Sequence, residues 1–155
     1  MRPSSQRVAD ALAAAGITTQ IVTFAESTRT AEDAAAAIGC EVGQIVKSLV
    51  FMAGDEAILA LVSGASRADT ARLAILAGAP IRRADANAVR SATGYAIGGV
   101  APVGHPGALR IWLDEGLMRY GEVWAAAGTP NTVFRISPVE LQRMTGAQVA
   151  KVASE

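Results

Sequence analysis

The chain has 155 residues, 51% of them hydrophobic and 18% charged, so it can bury a sizeable core without disulfides or a bound metal. Its 14 lysines and arginines balance 14 aspartates and glutamates, which disfavours a protein that binds many phosphates along a duplex but leaves recognition of a single nucleotide or acceptor end open. The single cysteine, Cys40, excludes an internal disulfide and fits a reducing compartment. No apolar run has the length of a membrane span, and Asp10 interrupts the one candidate for a signal-peptide core, so we expect a soluble cytoplasmic domain.

The first part of the chain predicts two helices separated by a strand. Ser4 or Ser5 can cap a helix that runs to residue 15, and Thr30 can cap a second helix with Asp33 in the capping-box position. Between these helices the pattern predicts a short strand over 19–24 and a polar loop over 26–29.

Residues 42–51 form a β-branched and aromatic run that predicts a buried strand with Lys47 in its middle. A lysine in such a strand costs desolvation energy unless its ammonium reaches a cleft or finds a partner. Two interpretations stay open at this point: an edge strand from which Lys47 points into water, or a pocket that Lys47 enters. Ser48 lies on the opposite face of the strand and does not decide between them.

The rest of the chain interleaves short strands and helices. A turn at Gly54-Asp55 predicts a β-hairpin, while Asp69, Asp85 and Ser137 are each placed to cap a helix. The strands predicted here lie over 46–52, 57–63, 81–84, 109–113, 123–127 and 132–136. Because tight turns join several strands and no linker divides the chain, we expect a single α+β domain over residues 1–155, with a mixed or mainly antiparallel sheet.

The pair Gly98-Gly99 is the second informative feature of the sequence. Paired glycines after an apolar strand permit a close approach of backbone to ligand, or backbone angles that other residues avoid. The alternative is a bulged strand and a structural loop. The spacing matches neither a dinucleotide fingerprint nor a P-loop, so a nucleotide cofactor is not predicted.

The remaining candidate groups are few. His105 is the only histidine and has no ligand partners at metal-site spacing, so it is either a proton shuttle or an exposed loop residue. Cys40 has no basic neighbour in sequence and is better interpreted as a small buried hydrophobe than as a nucleophile. By elimination Lys47 and the Gly98-Gly99 backbone are the best site candidates, and such a pair suits an anionic or polarised carbonyl ligand.

Two ordered stretches of the chain resemble the YbaK/EbsC family, the freestanding relatives of the editing domain inserted in bacterial prolyl-tRNA synthetases. The stretches are QIVKSLV at 44–50 and TGYAIGGVAPVGH at 93–105. The similarity continues through Thr30, Asp114, the turn at 127–131 and residues 136–141, and therefore covers nearly the whole chain. It implies a compact α+β fold with a strongly curved mixed sheet, and hydrolysis of mischarged aminoacyl-tRNA without a metal or other cofactor.

The resemblance also assigns roles to residues of this chain. It equates the family's characteristic lysine with Lys47, and its ligand-contacting glycine loop with Gly98-Gly99. Thr30, Ser48 and His105 are secondary substrate-binding candidates, each of which can instead be structural. Some cysteine-specific members carry a serine where this chain has Ala126, which argues against thiol-assisted chemistry here.

The mechanism expected from this resemblance is hydrolysis of the ester that joins an amino acid to the terminal ribose. Lys47 would stabilise the negative charge that develops as water attacks, or act as a general base if burial lowers its pKa. The expected substrate is the acceptor 3′ end of a tRNA, usually tRNA for proline carrying a small wrong amino acid, with a prolyl-tRNA synthetase as a candidate partner.

Two other functions are kept as alternatives. One is an enzyme in which Lys47 forms a Schiff base with a carbonyl metabolite, and the other is a module of the same fold that binds aminoacyl-tRNA or a nucleotide without turnover. General binding to DNA or RNA is disfavoured by the zero net charge, and neither DNA nor a membrane is an expected partner.

Overall fold

A computed structural model of the chain describes residues 1–25 and 30–154. The polar loop predicted over 26–29 lies outside these described residues. The helices are α1 Pro3–Ala14, α2 Ala31–Ile38, α3 Thr70–Ala77, α4 Ala86–Thr93 and α5 Pro138–Thr145, with short 3-10 turns over Val42–Gln44 and Glu115–Arg119. In the described part of the chain, no helix is both long enough and apolar enough to cross a membrane.

Local capping chemistry sets the boundaries of α2 to α5. The side chains of Thr30, Asp69, Asp85 and Ser137 each accept a backbone N–H of the first turn, and each of these four helices ends at a glycine with left-handed angles. These starts are the ones that the sequence predicts, because a cap needs only residues within one turn of one another.

The predicted start of α1 is wrong. Neither Ser4 nor Ser5 caps this helix, which begins at Pro3, a residue suited to the first turn because it has no N–H to satisfy. Ser5 is instead buried, and its hydroxyl donates to the carbonyl of Ala127 at 2.8 Å. The serine therefore joins α1 to a distant turn.

Ten strands are present in the described residues. They are β1 Ile21–Thr23, β2 Ile45–Ala53, β3 Glu56–Ser63, β4 Arg67–Ala68, β5 Ile81–Arg83, β6 Arg110–Asp114, β7 Val123–Ala126, β8 Thr132–Ile136, β9 Gln148–Ala150 and β10 Ala153–Ser154. The sheet order is β1-β8-β7-β2-β3-β6-β9, with β5 also paired to β2, while β4 and β10 form a separate pair. Strands β2/β7, β3/β6 and β6/β9 are parallel and the other pairs are antiparallel, so the predicted α+β fold with a mixed sheet is confirmed.

Strand β2 is central in the sheet, so the edge-strand interpretation of the lysine strand is wrong. On one side, β3 pairs with β2 along the length of β2, and the predicted hairpin turn at Gly54-Asp55 joins the two strands. On the other side β7 pairs only with Ile45 and Val46, and β5 pairs only with residues 51–53. The two partial neighbours leave a gap in the sheet beside residues 47–50.

The core lies on both faces of β3. Leu59 and Leu61 belong to a cluster that also holds Tyr95 and Phe134, whereas Ile58 and Val62 point to the other side, towards Leu73. All of these side chains are fully buried or nearly so. A strand buried on both faces fixes the position of its neighbour β2.

The stretch before Gly98 is a loop and not the predicted strand. Gly94 ends α4 with left-handed angles, and the next residue, Tyr95, is fully buried. Its hydroxyl donates to the carbonyl of Val103 at 2.7 Å, which ties the two ends of the segment together. A segment closed on itself in this way does not extend along a sheet edge.

Candidate functional site

A cavity of about 410 Å³ opens at the gap in the sheet beside β2. Strand β2 lines it with residues 45–51, β7 with residues 124–126, and β5 with Arg83. The remaining walls come from the start of α2, from the loop around Gly98 and from the turn after β7. The cavity therefore lies where three strands would meet if the sheet were continuous.

Alternation along β2 decides which backbone groups face the gap. The N–H of Gly64 donates to the carbonyl of Ile45 at 2.7 Å, so odd-numbered residues of β2 bond towards β3. The even-numbered residues bond to the other side, where the N–H of Ala84 donates to the carbonyl of Val50 at 3.4 Å. Between the two short partners lies Ser48, whose N–H and C=O point into the gap and have no strand partner among the described residues.

Lys47 lies next to this position with its side chain on the opposite face. Its ammonium donates to the carbonyl of Ser66, in the turn that follows β3. An ammonium has three donors, so this contact leaves two of them for a ligand. Burial lowers the pKa of Lys47, the carboxylate of Glu32 opposes that change, and the charge of Arg67 adds to it.

The two glycines have different positions. Gly98 is exposed, has a φ of +95° and lines the cavity, while Gly99 is buried against the turn after β7. A Cβ on Gly99 would lie 2.9 to 3.0 Å from backbone atoms of Thr129. Gly99 also donates its N–H to the carbonyl of Ala96 at 3.0 Å. Gly98 can therefore contact a ligand, whereas Gly99 sets the position of the loop.

Thr30 lines the cavity, and its hydroxyl oxygen accepts the N–H of Asp33 at 3.0 Å as the cap of α2. The hydroxyl hydrogen can still donate to a ligand.

His105 lies behind the glycine loop and is half-buried. Its Nε2 is 2.8 Å from the carbonyl of Ala101, so this nitrogen carries the proton and donates. The ring packs edge-on against Tyr95, with centroids 6.1 Å apart. Burial lowers the pKa of His105, and the bond to Ala101 opposes that change. The structure thus brings Lys47, Ser48, Gly98 and Thr30 to one cavity. His105 lies behind the glycine loop and packs against it.

Other cavity residues were missed by the sequence analysis. Arg83 and Ile97 both line the cavity, and the Ile97 side chain is 62% exposed despite being apolar. The position of Ile97 directly before the glycine pair could have indicated that it lines the cavity. Nothing in the sequence near Arg83 indicated that its side chain would line the same cavity. Small side chains, Ala31, Ala34 and Ala126, line the wall on either side of the lysine strand.

In the part of the chain that the structure describes, neither Cys40 nor a cluster of metal-ligating side chains forms a second site. Cys40 is half-buried among the apolar side chains around α2, and burial raises the pKa of its thiol, so the residue packs as the small hydrophobe that the sequence predicts. Within residues 1–25 and 30–154, no three His, Cys, Asp or Glu side chains are grouped as metal ligands would be.

Residues 25–144 match the model of the aminoacyl-tRNA editing domain family. Among curated proteins, the chain is 33% identical over 130 residues to the uncharacterized protein YwhH of Bacillus subtilis, which covers 83% of each chain. It is 25% identical over 134 residues to a protein of Enterococcus faecalis described as "Putative Cys-tRNA(Pro)/Cys-tRNA(Cys) deacylase EbsC", covering 85% of this chain and 82% of that one. A solved structure described as "a putative trans-editing enzyme for prolyl tRNA synthetase" superposes with a TM-score of 0.95 at 51% identity, over 100% of this chain and 99% of the other.

Proposed function

The chain belongs to the aminoacyl-tRNA editing domain family, with the YbaK/EbsC proteins among its relatives, and on this premise we propose that it hydrolyses the ester of mischarged aminoacyl-tRNA. The observation that carries the proposal is the pairing of two kinds of donor at one cavity. Lys47 and Ser48 are neighbours along β2 and both line the cavity where the sheet is open: Lys47 brings a partly buried ammonium, and Ser48 brings an N–H that has no partner among the described residues. Such donors stabilise negative charge on a carbonyl oxygen.

In the proposed reaction, water adds to the acyl carbon and the carbonyl oxygen becomes an oxyanion. The tetrahedral intermediate then collapses, the bond between the acyl carbon and the ribose oxygen breaks, and the ribose oxygen takes up a proton. The products are a free amino acid and an uncharged tRNA. A donor in the role of Lys47 is worth about two to three powers of ten in rate.

The expected acyl group is small. Ala31, Ala34 and Ala126 are lining residues, and the cavity of about 410 Å³ has to accept part of the terminal adenosine as well as the amino acid. Steric exclusion by such a wall is useful to an editing enzyme, because one methylene provides only about 1 to 3 kcal/mol of discrimination by binding. We propose tRNA for proline carrying a small wrong amino acid as the substrate, a cytoplasmic site of action, and a prolyl-tRNA synthetase as a candidate partner.

Deacylation of a panel of charged tRNAs tests this function. Wild type, Lys47→Ala and Lys151→Ala are compared on tRNA carrying Ala, Cys, Ser, Thr, 2-aminobutyrate or Pro. We expect wild type and Lys151→Ala to release one or two small amino acids, and Lys47→Ala to lose about 100-fold or more in kcat/KM while it remains folded by circular dichroism at the assay temperature. Tight binding of the charged tRNAs without hydrolysis would contradict the proposal and support the non-catalytic module.

The lowered pKa of Lys47 also suits an amine that attacks a carbonyl, so the Schiff-base alternative needs its own test. Borohydride is added during turnover, and the mass of the peptide containing Lys47 is measured. A deacylase leaves this peptide unmodified. A Schiff-base enzyme treated together with its aldehyde or ketone substrate would lose water to form an imine, and hydride would reduce that imine to a secondary amine on Lys47; the corresponding mass increase would assign Lys47 to covalent catalysis.

A further inference from the structure

We propose that the aminoacyl group of the substrate fills the gap in the sheet as a strand of one residue, paired with the backbone of Ser48. Its α-amine donates to the C=O of Ser48, and its acyl carbonyl accepts the N–H of Ser48. This inference rests on the function proposed above and names the contact by which that site recognises an amino acid.

The gap in the sheet is centred on Ser48, the residue of β2 whose N–H and C=O both lack a backbone partner on this side among the described residues; the N–H of Val50 has none there either. Val46 is in register with Ala125 of β7, and the carbonyl of Val50 accepts from Ala84 just beyond β5. Of the residues that bond to this side, Ser48 alone lies between the two. It therefore presents one N–H and one C=O, which together match one residue of a missing strand.

An amino acid ester has the groups that this position needs. In an extended residue the N–H and C=O point to the same side, and two residues in a hydrogen-bonded antiparallel pair exchange both bonds. The α-amine and the acyl carbonyl of an aminoacyl group are separated by one Cα, as in such a residue. Adding a strand to an open sheet edge is an established way to bind a peptide, and here the strand has a length of one.

The Ser48 side chain supplies an independent observation. Its Oγ is buried and has no hydrogen-bond partner among the described residues. Residues opposite each other in an antiparallel pair project their side chains from the same face. The side chain of a paired L-amino acid would therefore lie beside this hydroxyl. A D-amino acid paired in the same way would instead point its side chain to the face of the sheet that carries Lys47.

The pairing also joins recognition to the proposed chemistry. The carbonyl that accepts the N–H of Ser48 is the one that becomes an oxyanion. A backbone donor held in a strand between two paired positions is fixed before the substrate arrives, as charge stabilisation requires.

Two non-hydrolysable ligands test the proposal: the 3′-amide analogues of alanyl-adenosine and propionyl-adenosine, which differ only in the α-amine. We expect the alanyl analogue to bind about tenfold more tightly or better, because the propionyl analogue leaves the C=O of Ser48 unpaired. Hydrogen exchange of the Ser48 amide should slow when the alanyl analogue binds. The amide of Leu49 bonds to β3 and serves as the internal control, with unchanged exchange.

Equal affinity for the two analogues, unchanged exchange at Ser48, or failure of both ligands to bind would overturn the pairing. Hydrolysis of alanyl-tRNA together with unchanged Ser48 exchange would overturn the pairing and leave the deacylase function intact. Slowed exchange of the Ser48 amide in a protein that hydrolyses no ester would support the pairing and contradict the proposed deacylase function.

A variant provides a second measurement. Ser48→Pro deletes the N–H that faces the gap but keeps the C=O and every bond to β3. Because the acyl carbonyl of both analogues accepts this N–H, we expect the variant to bind both analogues more weakly than the wild type does. Wild-type affinity of this variant for both analogues would contradict the proposal. If this variant does not fold, the exchange experiment on the wild-type protein still decides.

Discussion

Gly99 rests directly on the backbone of Thr129: a Cβ at position 99 would lie 2.9 Å from the Thr129 Cα. This contact fixes the distance between the turn after β7 and the loop that carries Gly98, and so the position of Gly98 in the cavity wall. Because the atoms opposite Gly99 belong to backbone, they cannot turn aside as a flexible side chain would. Loop position and cavity shape therefore depend on the absence of a single methyl group.

Gly99→Ala should lower the free energy of unfolding by about 1 to 3 kcal/mol, the usual effect of overpacking, and shift the glycine loop. A shift of about 1 Å can reduce kcat/KM by about 100-fold. The matched control is Gly107→Ala, since a Cβ at Gly107 would have no heavy atom within 4 Å. Melting temperatures and deacylation rates measure both effects, and wild-type values for Gly99→Ala would show that the contact does not constrain the loop.

Lys47 should make stability depend on pH in the alkaline range. Burial lowers its pKa in the folded protein below the ordinary value of 10.5, so between these two values the unfolded chain binds more protons. The free energy of unfolding of the wild type should therefore rise, relative to Lys47→Met, as the pH increases towards 10.5. Urea unfolding of both proteins at several pH values measures this difference. A difference that does not change with pH would show that Lys47 is not desolvated.

His105 should have the corresponding effect below neutrality. Burial lowers its folded pKa below the ordinary value of 6.5, so as the pH falls below about 6.5 the unfolded chain takes up a proton first and stability is lost. His105→Gln can still donate to Ala101 but does not titrate. We expect the wild type to lose stability relative to His105→Gln between pH 7 and the folded pKa. Parallel stability curves would mean that the ring is accessible to solvent in the folded state.

Asp114 should be a structural residue that fastens the end of the chain. Its Oδ1 accepts the backbone N–H groups of Val152 and Ala153 at 2.9 and 3.0 Å, and its Oδ2 accepts that of Gly116 at 3.0 Å. Asp114 as a whole residue is 4% exposed.

Asp114→Ala should therefore reduce the free energy of unfolding by about 2 to 4 kcal/mol, because it leaves two buried N–H groups unpaired. Asp114→Asn keeps one acceptor oxygen and should lose less. Chemical unfolding measures both variants, and equal stability of Asp114→Ala and wild type would contradict this role.

Most of the local structure of this chain was predictable. Thr30, Asp69, Asp85 and Ser137 begin helices because a side chain and the N–H groups that it caps are neighbours in sequence. The hairpin turn at Gly54-Asp55 was predictable for the same reason, because it depends on residues that are adjacent in sequence. Where a side chain found a distant partner, prediction failed: Ser5 bonds to Ala127 and not to its own helix.

The candidate site could be predicted only in part. Lys47 and Gly98 were indicated by their sequence and by family resemblance, whereas the contribution of Arg83 depends on how β5 pairs with β2. The short strands β4, β9 and β10 were not predicted either. Their two or three residues carry no periodicity, and they exist because distant segments offer them partners.

By itself the sequence determined the helix starts, the hairpin, the α+β class and the candidacy of Lys47, since each depends on a pattern within a few residues or on an ordered motif. The tertiary structure alone decided that β2 is central and that its neighbours β7 and β5 stop short of Ser48. The length of a strand partner is set by segments far away in the chain, because backbone hydrogen bonds between strands carry no local signature. The open position in the sheet, and with it the cavity, is therefore a property of the fold.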